Sequence, residues 1–377
     1  MIGIGVSFGG ALLLIGAVGW YYAGEIKNGA LDVNYSPSEP DLIVAAVDGD
    51  QVTLAVTDST DLIFGRWQSN GLYGIEWDGG YAQAGPIIKI SENQVTREFI
   101  SITGQLSAGQ AVSLDATMFY GDPWQAYGIA TEAITFTSEL GDFDAWYVDG
   151  DDTWVVYIHG KGASRRESLR MLPVVTEMGF SSLVITYRND EGLPDSNSGY
   201  YDYGLTEWAD LEAAVQYAID NGAVDIVLVG YSMGGAITAG FLYESDLAET
   251  IISVILDAPM TDFGDVIEFA AEQRKLPSLL TSTAKFIAKL RFGIDWDALD
   301  YLERIDELDT PVLVFHGGQD RTIPHRQSDQ LANARPDLVT YIQVPQAGHT
   351  GSWNVEPEQY ETAVESFLGG YAVSALR

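Results

Sequence analysis

The string Ile226-Val227-Leu228-Val229-Gly230-Tyr231-Ser232-Met233-Gly234-Gly235 constrains the chain more than any other. An apolar run of strand character meets G-x-S-x-G, and a helix beginning with small residues follows. A strand that turns directly into a helix crowds its own backbone, and only small residues leave room for the turn. The turn holds a serine hydroxyl clear of the sheet, so Ser232 is the candidate nucleophile. A serine hydroxyl attacks well only when a base takes its proton. His349 is the candidate base; it sits in the loop Gln346-Ala347-Gly348-His349-Thr350, after the apolar run 339–344. The orienting acid belongs between the two. Asp320 follows the run 311–316 through a short glycine loop, which gives the chain order nucleophile, acid, base. Asp257, at the end of the run 254–257, is an alternative acid.

Acyl chemistry also needs donors for a developing oxyanion. One is the backbone N–H of Met233, directly after the nucleophile. The other belongs to the loop His159-Gly160-Lys161-Gly162-Ala163, with Lys161 preferred and Gly162 next.

Continuous apolar runs at 154–159, 183–187, 226–230, 254–257, 311–316 and 339–344 alternate with helical stretches at 168–178, 207–219, 234–243, 326–334 and 357–368. Strands apolar on both faces indicate a mostly parallel sheet covered by helices, an α/β fold. A helical insertion at about 262–308 would sit over the carboxyl ends of the strands, where such sheets bind ligands. Residues 41–146 read differently. Short apolar runs broken by Gly, Asp and Asn predict a β-rich accessory region, partly continuous with the sheet that follows.

Residues 2–22 carry no charge and match the length of a bilayer-crossing helix. No Lys or Arg precedes them, which disfavours a cleaved signal peptide. The expected order is a transmembrane anchor at 1–24, a linker at 25–40, the β-rich region at 41–146 and a catalytic domain at 147–377. A single-pass anchor would make the membrane a partner, with the catalytic body outside the cytoplasm.

Acidic residues number 54 against 19 basic ones, a net charge of −35; such a surface repels nucleic acid and anionic membranes, and no nucleic-acid partner is expected. The absence of cysteine excludes disulfides, thiol catalysis and Cys-ligated metals. The four histidines lack metal-ligand spacing, and neither metal nor cofactor is expected. The cations gather in two places. Lys161, Arg165, Arg166 and Arg170 follow the oxyanion loop, while Arg274, Lys275, Lys285, Lys289 and Arg291 lie in the insertion. Arg165 and Arg166 are candidates for holding an anionic acyl substrate.

From about residue 146 to 368 the chain resembles the α/β-hydrolase superfamily. The likeness rests on H-G at 159–160, G-Y-S-M-G at 230–234, H-G-G-Q-D at 316–320 followed by I-P, and G-H at 348–349. Within the superfamily it is similar to the bacterial serine aminopeptidase-like, or acylaminoacyl-peptidase-like, hydrolases. The resemblance implies a serine hydrolase forming an acyl-enzyme, with an ester or thioester as substrate. A peptidase acting on small peptides or amides is the alternative, and a non-catalytic binding protein on the same fold is the third reading. A serine at 232 disfavours dehalogenase and epoxide-hydrolase chemistry, which use aspartate there.

Overall fold

The computed structural model describes residues 2–34, 40–60 and 67–372, with side chains described from residue 14 to 370 within those limits. A helix α1, Ile2–Ile26, opens the chain. Antiparallel strands β1 (Leu42–Asp48), β2 (Gln51–Val56), β3 (Tyr73–Trp77), β4 (Gly80–Ser91), β5 (Gln94–Thr103) and β6 (Ala111–Asp115) close into a barrel in the order β1-β2-β5-β4-β3-β6. Leu42, Val44, Val52, Leu54, Ile75, Ala82, Val95 and Val112 fill it. Their alternation with exposed neighbours, as in β1, is the period-two pattern of a sheet with one dry face. A barrel leaves no unpaired edge, which a lone hairpin could not achieve.

A helical turn, α2 (Pro123–Tyr127), leads to β7 (Glu132–Ser138) and β8 (Gly141–Val148). These two join an eight-stranded sheet ordered β14-β13-β12-β11-β9-β10-β8-β7. The other members are β9 (Thr153–Ile158), β10 (Ser181–Ile185), β11 (Asp225–Tyr231), β12 (Ile251–Asp257), β13 (Val312–Gly317) and β14 (Val339–Val344). Strands β9 to β14 pair in parallel, and β8 pairs antiparallel with both β7 and β10. Every residue of β9, β10 and β13 is buried, as a sheet covered on both faces requires. The β-rich stretch 41–146 thus divides: its first part is the barrel, and its last part extends the catalytic sheet.

The covering helices are α3 (Leu172–Glu177), α4 (Trp208–Asp220), α5 (Met233–Glu244), α8 (Arg326–Ala334), α9 (Ser352–Val355) and α10 (Pro357–Ala372). The insertion forms α6 (Phe263–Gln273), α7 (Ser278–Phe292) and a 3₁₀ segment at Tyr301–Glu307. The single helix expected over 168–178 is split into a 3₁₀ segment, Arg165–Arg170, and α3, which takes Pro173 into its first turn where no N–H is needed.

Two expectations for the N-terminus change. Residues 25–34 are no loose linker: α1 runs to Ile26, a π-helical turn covers Lys27–Leu31, and Asp32 bridges to Tyr200. Leu31 is buried in the main core, and its carbonyl accepts from the Tyr201 N–H at 2.9 Å. Residues 35–39 of the expected linker lie outside the described residues. The bilayer-spanning role given to residues 1–24 gains no support. Among the described residues no helix is long and apolar enough to cross a membrane, and residues 1–13 of that segment lie outside the described side chains.

Candidate active site

Strand β11 lies inside the sheet between β9 and β12, and its chain turns at Ser232 directly into α5. Ser232 has φ 52° and ψ −113°, a conformation that costs about 1–3 kcal/mol for a residue bearing a β-carbon. The surroundings hold it there. The Ser232 N–H donates to the Asp257 carbonyl at 3.0 Å, and the Met260 N–H donates to the Ser232 carbonyl at 3.1 Å. The glycines are sterically required. A Cβ on Gly230 would lie 2.7 Å from the Gly234 carbonyl oxygen, and one on Gly234 would lie 2.2 Å from that of Ile158.

The Asp320 and His349 loops leave adjacent parallel strands, β13 and β14, and are stitched together. Gly318 N–H donates to the Val344 carbonyl at 2.8 Å and Gln319 N–H to the Ala347 carbonyl at 2.9 Å. His349 Nδ1 lies 2.7 Å from Asp320 Oδ2, and Nε2 lies 2.9 Å from Ser232 Oγ. A carboxylate only accepts, so the ring proton is on Nδ1 and Nε2 is free to accept from the serine hydroxyl. Asp320 Oδ1 accepts from the Thr322 and Ile323 N–H groups at 2.7 and 2.9 Å, which fixes the carboxylate plane. Burial would raise the Asp320 carboxyl, but His349 and His316 with their hydrogen bonds outweigh it and hold it well below the usual range. His316 is fully buried beneath this loop, 3.3 Å from Asp320 Oδ2 and bonded to Ser328 Oγ at 2.7 Å.

The alternative acid, Asp257, stands apart from this relay. His349 Nδ1 already faces Asp320, and neither oxygen of buried Asp257 makes a hydrogen bond among the described residues. Burial raises its carboxyl from 3.8 to about 6, against the pull of Arg170, His316 and His349. A folded pKa above the unfolded one means that the fold prefers the neutral acid. The carboxylate therefore costs stability above about pH 6, and the cost vanishes below about pH 4. Asp257→Asn is expected to raise unfolding free energy at pH 8 by about 2–3 kcal/mol and to change it little at pH 4. Denaturant melts at the two pH values check this; a pH-independent effect would be contrary to it.

In the oxyanion loop, the Gly160 N–H donates to Glu167 Oε2 at 2.9 Å. With Gly160 N–H committed, Lys161 N–H remains the candidate second donor beside Met233 N–H, with Gly162 next. The Lys161 side chain points elsewhere and donates to the Gly29 carbonyl at 2.8 Å. Beneath the loop, His159 stacks on Tyr187 and sets Nδ1 2.9 Å from the Gly160 carbonyl and Nε2 2.9 Å from Asp190. Burial lowers the His159 pKa, but Asp190 more than offsets this and the net shift is upward.

Arg165 and Arg166, the candidates for holding an anionic substrate, both make contacts within the protein. The Arg165 guanidinium lies 4.6 Å from the centre of the Trp146 ring. Arg166 pairs with Asp115 of the barrel at 2.5 Å and donates from Nε to the Phe119 carbonyl at 2.9 Å. It ties the barrel to the segment that follows the oxyanion loop. Asn354 makes a second tie: its carbonyl accepts from Leu72 N–H at 2.8 Å and its amide donates to the Ala116 carbonyl at 2.9 Å.

A buried pair that sequence reasoning did not assign links these loops. Arg170 Nη2 donates to Glu167 Oε1 at 3.2 Å, and both side chains are buried. Glu167 holds the oxyanion loop at Gly160. Arg170 donates to the Thr350 carbonyl and, at 3.2 Å, to Asn354 Oδ1, and stacks 5.1 Å from the centre of the Tyr231 ring. The available signal was the i,i+3 spacing of Glu167 and Arg170, which suits an ion pair on one turn.

A parallel sheet with a serine on its central turn, an acid and a histidine on the next strand ends, and a helical cap defines an α/β-hydrolase arrangement. The model of the alpha/beta hydrolase family matches residues 155–363, the greater part of the chain, and the chain belongs to that family. A second model, described as a domain of unknown function, matches residues 43–115, which are the barrel. Among curated proteins the chain is similar to the uncharacterized protein Rv2307c of Mycobacterium tuberculosis, 26% identical over 249 residues, which cover 64% of this chain and 80% of that one. It is also similar to human protein ABHD12B, 26% identical over 201 residues, covering 50% of this chain and 51% of that one. Among solved structures, the esterase Pf2001 of Pyrococcus furiosus superposes with a TM-score of 0.54 at 21% identity, over 67% of this chain and 94% of that one. That likeness is one of fold.

Proposed function

We propose that this α/β-hydrolase cleaves a carboxylic ester or thioester through an acyl-enzyme on Ser232. The observation that carries the reading is the relay Asp320–His349–Ser232, with distances of 2.7 and 2.9 Å and the serine raised on a strained turn. Ser232 Oγ attacks the acyl carbon as His349 Nε2 takes its proton. Asp320 keeps the imidazole in the required tautomer and stabilises the imidazolium. Met233 and Lys161 N–H groups receive the oxyanion. His349 then returns the proton to the leaving alcohol or thiol. A water activated by the same nitrogen releases the acid. The esterase named among the structural neighbours lends support to an ester substrate and is evidence about that protein.

The test is competitive labelling with a fluorophosphonate probe, followed by turnover of matched acyl esters, acyl thioesters and peptide amides. Labelling that esters or thioesters suppress, with their kcat/KM at least 100-fold above that of amides, is the expected result. A faster amide series would move the assignment to a peptidase. A well-folded protein that the probe does not label would withdraw it.

A further inference from the structure

The last turns of α1 and the cap helix α7 pack as a pair. Gly19 sits against Thr283 and Ile287, so closely that a Cβ there would lie 2.6 Å from Thr283 Cγ2. Arg291 donates to the Trp20 carbonyl at 3.0 Å and places its guanidinium 3.8 Å from the centre of that ring. Helix α7 uses three faces. Thr281, Ala284 and Ala288 point into the protein, Thr283 and Ile287 meet α1, and Leu279, Phe286 and Leu290 point outward. The last three recur at i, i+7 and i+11, one side of a helix. They are 60%, 63% and 71% exposed, and on α1, the helix packed against α7, Leu14, Trp20 and Tyr21 are 66%, 57% and 59% exposed. Large apolar side chains gathered this way on a soluble surface mark a contact.

The charge around the patch identifies the contact. The chain is strongly acidic, yet residues 274–293 contain Arg274, Lys275, Lys285, Lys289 and Arg291 and no acid; of these Lys285 pairs with Glu268 of α6 at 2.6 Å, and the others supply the positive charge of this face. Lys289 borders the stripe and is half exposed, 3.9 Å from Asp295. An apolar stripe flanked by cations and lying along the surface suits the interface of an anionic lipid bilayer. We infer that the α1–α7 face rests in the headgroup region of an anionic membrane and does not depend on a helix crossing it. The face belongs to the cap, and the adjoining Lys27–Leu31 turn touches Lys161 of the oxyanion loop through the Gly29 carbonyl. A docked molecule would therefore hold its active-site rim at the lipid surface. This inference stands on exposed apolar and basic residues and is independent of the catalytic assignment.

The chain has no cysteine, which makes single labels simple. Full-length Leu290→Cys and, as a control on α10, whose buried residues cover the other face of the sheet, Glu365→Cys would carry an environment-sensitive fluorophore and be measured in the presence of vesicles. The vesicles are phosphatidylcholine alone, or with about one-third phosphatidylglycerol. The expected result is a blue shift at position 290 alone. It should be half-maximal at a lipid concentration at least tenfold lower with phosphatidylglycerol. Label-free Leu279→Ser/Phe286→Ser/Leu290→Ser should float with anionic vesicles at least tenfold less than wild type. Absence of a shift at 290, equal shifts at both positions, or undiminished flotation of the triple variant would each overturn the inference. So would a shift at 290 that depends on protein concentration and not on lipid, which would identify the occupant as a second copy.

Discussion

Ser232→Ala is expected to lower kcat for the best ester by about 10⁴–10⁶ while leaving the fold and its stability nearly unchanged. The size follows from the proposed mechanism. The hydroxyl lies 2.9 Å from His349 Nε2, the one hydrogen bond shown for that nitrogen among the described residues, and without it no acyl-enzyme forms. What remains is stabilisation by the oxyanion donors of a slow direct attack by water. Alanine fits the elbow because it keeps the β-carbon that the turn at φ 52° already accommodates. Burst kinetics and fluorophosphonate labelling check the loss, and a thermal melt checks the fold. A variant retaining more than about a hundredth of wild-type activity would show that Ser232 is not the nucleophile.

Arg170→Met is expected to destabilise the protein by about 3–5 kcal/mol, the largest stability loss predicted for a single side chain here. Methionine fills a similar volume but leaves the buried Glu167 carboxylate without its cation. It also abandons the Thr350 carbonyl and Asn354 Oδ1. The charge of Glu167 is the main source of the loss, so the double variant Glu167→Gln/Arg170→Met should recover part of it. Activity should not recover alongside. Glutamine can still accept from Gly160, but the histidine loop has lost its hold at Thr350, so kcat should stay about 10²-fold down. Urea unfolding of the single and double variants, with ester kinetics on each, separates the two effects. A single variant within about 1 kcal/mol of wild type would mean that water reaches and solvates Glu167.

The candidate site was legible because each of its residues follows a strand that sequence pattern exposes. Ser232, Asp320 and His349 stand just beyond apolar runs, and the parallel sheet brings those strand ends together on one side whatever else the chain does. The helical cap was legible for a similar local reason. The barrel was not, since its closure joins β1 to β6 across the whole segment, and alternation within each strand carries no information about its partners. The partner of a cation was no more legible: Asp115, which pairs with Arg166, is distant in sequence and is brought alongside by the docked barrel. The N-terminal segment misled through length: hydrophobicity alone does not reveal that Ala23, Ile26 and Leu31 are core residues of the catalytic half.

The ties between barrel and histidine loop bear on modularity. The family match begins at residue 155, so the hydrolase domain looks like a part that could be lifted out. Its boundary is not where cooperation ends. Asn354, three residues from Gly351 in the loop that carries the base, spends its amide and its carbonyl on Leu72 and Ala116, residues of the other module. A chain trimmed to the family domain would keep Ser232, Asp320 and His349 and lose the scaffold that fixes the histidine loop. Natural recombination faces the same constraint, so the barrel and the hydrolase domain are expected to be inherited together and to change together along their seam.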